Sequence, residues 1–250
     1  MTDLVQVSDE NGVRLIRMNR ADKKNALNAP MYDAMADAIE RAAAHRAIRC
    51  LMIAGAPGAF CAGNDLKDFQ HAARHDGGLG EPVIRFLHAL AGNEKPLVAA
   101  VQGVAVGIGT TMLLHCDYVV AGTDVRLSTP FVSLGLLPEA ASSLLMPRLI
   151  GHRRAFALLV MGQPLDADAA KECGLVNAMA APAEVDELAM AAALRIAQLP
   201  PDAVALSRQL MRGSPEEVHK RIEDEAEQFR IRLRSDEARA ALDAFFARKK

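Results

Sequence analysis

The run VRLIRM at residues 13–18 mixes apolar and basic positions and predicts a strand, and the polar stretch NRADKKN behind it predicts a turn. Pro30 then opens a helix through PMYDAMADAIERAAAH, with Ala29 or Asn28 near its start and apolar residues at Met31, Met35 and Ile39. CLMIAG (50–55) reads as a short buried strand, ended by Gly55, Pro57 and Gly58. Asp65 is placed to cap a helix over LKDFQHAARH, HDGGLG (75–80) breaks the chain, and PVIRFLHALAGN predicts a helix ending near Gly92. PLVAAVQGVAV (96–106) is apolar and β-rich, and the glycines of GIGTTMLLHC open a further helix. DYVVAGTD and VRLSTP suggest two more short strands. From about Leu144 onward the pattern is helical, with turns near Gly151, Gly162, Gly174 and Pro200–Pro201. Strands alternate with helices over the first two thirds and helices fill the last third, so the expected class is α/β with a helical C-terminal part.

Composition narrows this only a little. A chain of 250 residues with 51% hydrophobic residues suits one α/β domain with a helical appendage and can fill a large core. A formal net charge of −2 gives no footprint for nucleic acid. No apolar run approaches the roughly 18 residues of a membrane span, and MTDLVQVSDENG lacks the basic and apolar parts of a signal peptide. The cysteines, Cys50, Cys61, Cys116 and Cys173, form no CxxC and read as reduced thiols of a cytoplasmic protein.

The candidate chemistry starts with two glycine turns. GVAVGIGTTM has the Gly-x-Gly of a dinucleotide fingerprint, but Met112 stands at the third glycine position and no strand-end acid follows. Gly107 and Gly109 still allow tight backbone at a helix start, where unsatisfied N–H groups attract an anion or a developing oxyanion. The plainer alternative is close packing. AFCAGNDLKDF (59–69) is a second such turn, or an ordinary loop capped by Asp65. Glu139, in PFVSLGLLPEAASS, is either a carboxylate at a helix start, favoured there by the helix dipole, or a base kept in a pocket. The i, i+4 pair His71 and His75 has no third ligand and reads as a solvated helix face. His115 and Cys116 read as packing, Ser142 and Ser143 lack a nucleophile context, and RIEDEAEQFRIRLRSDEAR reads as an exposed helical face with intrahelical pairs.

Taken in order, NRADKKNALN, AFCAGNDL, AAVQGVAVGIGTTMLLHCDYVVAG, LSTPFVSLGLLPEAASSLLMPRLIG, MGQPLDADAAKECGLVN and SDEARAALDAFFARKK resemble the crotonase (enoyl-CoA hydratase/isomerase) superfamily over nearly the whole chain. The resemblance implies a crotonase-like ββα spiral core that binds acyl-CoA at residues 1–195 and a helical C-terminal trimerisation region at 196–250. It implies a homotrimer or a hexamer, with no metal or redox cofactor, coenzyme A being part of the substrate. The backbone N–H groups of Asn64 and Ile108 would hold the thioester oxygen as it gains enolate charge. Lys23, Lys24, Ala26 and Leu27 resemble the segment along the pantetheine and phosphates. The backbone around Ala62, Asn64 and Leu66 resembles the strand end near the adenine, Asp65 is counted with these CoA-binding residues, and Lys249 or Lys250 is placed to reach the phosphates.

Hydratases of this family carry two glutamates; here Thr111 and Phe131 stand at those positions, and a hydroxyl and a phenyl ring cannot jointly activate water. The stretch around Glu139 resembles Δ3,Δ2-enoyl-CoA isomerases, in which a single glutamate shuttles the proton. Phe131, Leu136 and Leu137 would form an apolar wall that desolvates it. The expectation is therefore a one-glutamate isomerase. The alternatives are another crotonase reaction (hydratase, hydrolase or lyase) and a non-catalytic acyl-CoA-binding module.

Overall fold

Two strands, β3 (Cys50–Ala54) and β4 (Leu97–Val101), are buried along every residue, as strands covered on both faces must be. In the computed structural model, which describes residues 3–65 and 78–247, they lie at the centre of a six-stranded sheet. Its order is β1 (Val5–Glu10), β2 (Val13–Met18), β3, β4, β6 (Tyr118–Gly122) and β9 (Ala178–Ala180). Only β1 and β2 pair antiparallel; every other neighbour pair in this sheet is parallel. A second sheet, of three strands, runs β5 (Val104–Val106), β7 (Arg126–Ser128) and β8 (Leu165–Asp166).

Alternation along β3 assigns its two faces. Leu51 and Ile53 point into the larger hydrophobic core with Met31, Met35 and Ile39 of α1 (Ala29–Ala44) and with Phe86, Leu87 and Leu90 of α2 (Glu81–Ala91). Cys50, Met52 and Ala54 point the other way, where Val185, Ala189, Ala193 and Ala197 of α7 (Val185–Ala197) cover the sheet. Three alanines four residues apart on one helix face let that helix lie close against the strands. Asn28 caps α1 by accepting the Met31 N–H at 3.2 Å, and Pro30 sits in its first turn. The Lys95 ammonium gathers the Ala42 carbonyl in the last turn of α1 and the His45 and Ile48 carbonyls beyond it, so that end is tied to the start of β4.

The chain after β5 does not build the longer helix expected of GIGTTMLLHC. It makes one α-turn, α3 (Ile108–Thr111), and a 3₁₀ turn over Met112–His115. Next come α4 (Ser142–Ile150), α5 (His152–Leu159), α6 (Ala167–Glu172) and, after α7, α8 (Pro201–Arg212), α9 (Pro215–Leu233) and α10 (Asp236–Ala247). The last third is not wholly helical, because β8 and β9 lie within it and β9 extends the main sheet. Both are too short, at two and three residues, to leave a periodic signal. β1 also escapes the periodicity. Only Val5 of its six residues is buried, and it is held as an edge strand by the Asn11–Gly12 hairpin turn to β2. The helix expected over 66–75 lies outside the described residues. Among those described, no helix is long and apolar enough to cross a membrane.

Candidate active site

The segment 59–65 is the middle ply of three. On one side, Phe60 N–H donates to the Gln102 carbonyl (2.7 Å), Cys61 N–H to Val104 (3.1 Å) and Val106 N–H to Cys61 (2.9 Å). On the other, Ala62 N–H donates to Lys24 (2.9 Å), Leu27 N–H to Gly63 (2.8 Å) and Asp65 N–H to Leu27 (2.8 Å). These two ladders fix the register of both glycine turns. The second ladder takes the Asp65 N–H, and the Gly63 N–H donates to Cys61 Sγ at 3.4 Å, while the Asn64 N–H has no acceptor among the described residues. At the second turn, Gly107 N–H donates to Ser128 (2.8 Å), while the Thr110 and Thr111 N–H groups both reach back to Gly107 (2.9 Å each). The Ile108 N–H, first in α3, likewise has no acceptor among the described residues. Two features require glycine here. Gly107 has φ 55° and ψ −119°, outside the regions open to other L-residues. A Cβ on Gly109 would lie 2.6 Å from the Cys61 carbonyl oxygen, so that oxygen can approach α3 only because the side chain is missing.

Glu139 faces this pair of turns from a third direction. It is fully buried and precedes α4 in an irregular stretch, so it is not a first-turn carboxylate of that helix. Thr111 Oγ1 lies 2.5 Å from Glu139 Oε1 and 3.2 Å from the Gly107 carbonyl. That arrangement serves both protonation states. Ionised, Glu139 accepts the threonine proton; protonated, it donates to Thr111, whose own proton turns to Gly107. Glu139 Oε2 has no partner among the described residues. Burial pushes the carboxyl up to about 8, against the Thr111 bond, and the Glu225 carboxylate adds to the rise. Cys61, also buried, has its thiol pushed up to about 12 and is neutral. Thr111 is on α3, one turn from Ile108, so the buried acid is tied to the element whose first N–H has no acceptor among the described residues.

The two residues after Glu139 take left-handed backbone without glycine: Ala140 at φ 62° and Ala141 at φ 55°. Each costs about 1–2 kcal/mol, so the turn must be held from outside. His115 Nε2 lies 2.8 Å from the Ala140 carbonyl and must be the protonated nitrogen, since burial pulls this ring down to about 4 and keeps it neutral. Glu225 of α9 accepts the Ala141 N–H (2.7 Å) and the Ser143 N–H (2.9 Å).

The fold gathers most of the expected site residues. Phe131 is buried with its ring 3.7 Å from where a Cβ on Gly107 would sit, against the second turn, and Leu136 is buried nearby in sequence. Lys24 meets Ala62 through its carbonyl, with an exposed side chain like that of Lys23. Ala26 gives its carbonyl to Arg20, which also pairs with Asp65 at 3.0 Å. Leu27 buries its side chain in the core and offers the loop only backbone. Leu66, His71, His75, Lys249 and Lys250 lie outside the described residues.

Three contributors went unrecognised as site residues in the sequence. Tyr32 of α1 lies beside the Met31–Met35–Ile39 stripe and reads as core, yet its hydroxyl is 2.5 Å from Asn64 Oδ1. His115 is packed as expected but also bonds the turn. Glu225 corrects the reading of the charged run as an exposed face: Ile222, Glu225, Phe229 and Leu233 form a buried stripe on α9. Their spacing of three and four residues was the available signal.

A family profile described as enoyl-CoA hydratase/isomerase matches residues 8–250. A Rhizobium meliloti (strain 1021) protein named "Probable enoyl-CoA hydratase" is 30% identical over 245 residues, covering 98% of this chain and 95% of the relative. "Enoyl-CoA delta isomerase 2" of Rattus norvegicus is 33% identical over 253 residues, covering 98% of this chain and 64% of that longer protein. The solved structure of Pseudomonas aeruginosa OdaA superimposes with a TM-score of 0.92 at 45% identity, over 98% of this chain and 99% of that one.

Proposed function

The chain belongs to the enoyl-CoA hydratase/isomerase family, and from that premise we propose that it isomerises a 3-enoyl-CoA to the conjugated 2-enoyl-CoA. The observation that carries this reading is the fully buried carboxylate of Glu139, which has one oxygen without a partner among the described residues and is linked by Thr111 to the helix start whose Ile108 N–H has no acceptor among them.

An acyl-CoA thioester would place its carbonyl oxygen between the Asn64 and Ile108 N–H groups. Ionised Glu139 takes a proton from C2, and the C–H electron pair passes into the carbonyl to give a dienolate. The two N–H groups meet the charge where it develops. The same carboxyl returns the proton to C4, the double bond comes to lie between C2 and C3, and the enzyme ends as it began. A base tuned near the working pH suits a group that must both take and give a proton. Phe131 and Leu136 line this part of the chain with apolar surface, and Thr111 and Phe131 are not the acids that hydration needs. The relatives' names include both hydratase and isomerase, so reaction type rests here on the carboxylate inventory. The proposal includes a homotrimer or hexamer, supported by the exposed Leu206, Leu210 and Met211 on α8. It also includes a cytoplasmic setting, supported by the four free cysteines.

The test is incubation with a 3-enoyl-CoA in deuterated water. Conjugated 2-enoyl-CoA without 3-hydroxyacyl-CoA, abolished in Glu139→Gln, is the expected result. Predominant 3-hydroxyacyl-CoA, or no turnover at any chain length, would sink the isomerase reading.

A further inference from the structure

We propose that Glu225 is a positioning residue for Glu139: its carboxylate takes the Ala141 and Ser143 N–H groups and so fixes the turn that presents the base. The inference rests on the reading of Glu139 as the base. Three observations on separate elements meet here. Ala141 is the N-cap position of α4, yet that helix end has no side-chain cap of its own, so its first N–H groups need acceptors from elsewhere. The acceptor is a buried carboxylate from α9, with one oxygen committed to each N–H. The backbone it holds, Ala140–Ala141, is left-handed at two non-glycine residues directly after Glu139. Ordinary helix capping asks for neither a buried charge nor an acceptor from a distant helix. Arg221, one turn earlier on α9, donates to Ser143 Oγ at 3.0 Å and braces the same turn.

Glu225 also acts on Glu139 as a charge. The groups that bear on Glu139 are Thr111 from α3, Cys61 from the 59–65 segment and Glu225 from α9, with His115 behind the Ala140 carbonyl. Burial pushes Glu225 itself up to about 7, against the bonds from Ser143 and the Ala141 N–H and the charge of Arg221, so it is ionised where Glu139 titrates, near 8. Thr111 carries no charge and Cys61 and His115 are held neutral, so Glu225 is the neighbour whose removal changes the field at Glu139. Its negative charge disfavours ionisation of Glu139.

The experiment compares wild type, Glu225→Gln and Glu225→Asp after circular dichroism and a single melting transition show each to be folded. Gln keeps the side-chain shape but offers one acceptor oxygen and turns an amide donor toward a second N–H. The expected result is a kcat for 3-enoyl-CoA lower by about 10- to 100-fold with KM within about twofold, the pattern of a displaced base and an intact binding site. The acid limb of kcat/KM moves to lower pH in Glu225→Gln. In Glu225→Asp, kcat falls but the limb stays, because the charge is kept while its oxygens withdraw. Titration of the Glu139 carboxyl by infrared difference against Glu139→Gln reads the same coupling without turnover, and its midpoint falls in Glu225→Gln. A Glu139 midpoint and a kcat both unchanged in Glu225→Gln overturn the proposal; should that variant not fold, a wild-type kcat in Glu225→Asp does so. If the wild type does not isomerise while the midpoint still moves, the isomerase reading fails and the role of Glu225 stands.

Discussion

Glu139 has the same chemical identity as the exposed carboxylates of this chain, and what separates it from them is burial. Its folded-state value near 8 stands above its ordinary value of 4.5, so between those pH values the folded chain holds a proton that the unfolded chain has released. Stability is therefore lost as pH rises through that window, and the penalty is complete above it. Glu139→Gln removes the ionisable group. Its melting temperature should climb relative to wild type from pH 4.5 to 8, by several degrees for a cost on the order of a few kcal/mol. A difference that does not vary with pH in thermal melts would show that Glu139 is not held protonated. Thr111 opposes the shift, since its bond to Oε1 favours the charged form. Thr111→Val should raise the Glu139 value further, because it removes a hydrogen bond that favours the charged form. The acid limb of kcat/KM then moves upward, and activity lost at pH 7 returns in part at pH 9. An unmoved limb in the measured pH profile would count against the Thr111–Glu139 bond.

The elements around the site are short, and their placement depends on close backbone contact more than on propensity. Gly109→Ala would push a methyl into the Cys61 carbonyl oxygen, 2.6 Å away, with backbone on both sides of the clash. We expect a loss of about 1–3 kcal/mol in urea unfolding together with a fall in kcat, because α3 must move off the 59–65 segment and take the Ile108 N–H with it. Full activity in a folded Gly109→Ala protein would show that the spacing of the two turns does not matter. The same contrast governs what could be read in advance. β2, β3, β4, β6 and α1 declared themselves through apolar runs, helical spacing and the Asn28–Pro30 start, all of which are local. Asn64 and Ile108 were reached through family motifs, and the ladders that leave their N–H groups open are long-range pairings with no periodicity. β1 is exposed on all residues but Val5, and β8 and β9 are shorter than any window that could reveal them. Glu225 was obscured by its charged neighbours on α9, although Ile222, Phe229 and Leu233 marked the buried face to which it belongs.

At the scale of the molecule, the C-terminal helices divide into two kinds of surface. α9 turns Ile222, Phe229 and Leu233 into the main core and delivers Glu225 to the turn after Glu139, so it is continuous with the site. α8 does the opposite. None of its residues is buried, and Leu206, Leu210 and Met211 are largely exposed. Leu206 and Leu210 are four residues apart, on one face of the helix, with Met211 adjoining. Arg208 and Arg212 of the same helix both pair with Asp117, just before β6, at 2.8 and 3.0 Å, so α8 is anchored to the body of the protein by its charged face while its apolar residues stay open. An apolar face left open on an anchored helix is a surface that buries favourably against another copy of the chain. If the proposed trimer or hexamer forms through it, replacing Leu210 and Met211 together by Glu should lower the mass seen by light scattering to that of the 26.8 kDa monomer. Leu210 and Met211 are exposed, and the contacts that tie α8 to the body are made by Arg208 and Arg212, so the variant should keep its circular dichroism and the Glu139 titration. A wild-type protein already monomeric, or a variant whose mass does not change, would exclude α8 as the assembly surface.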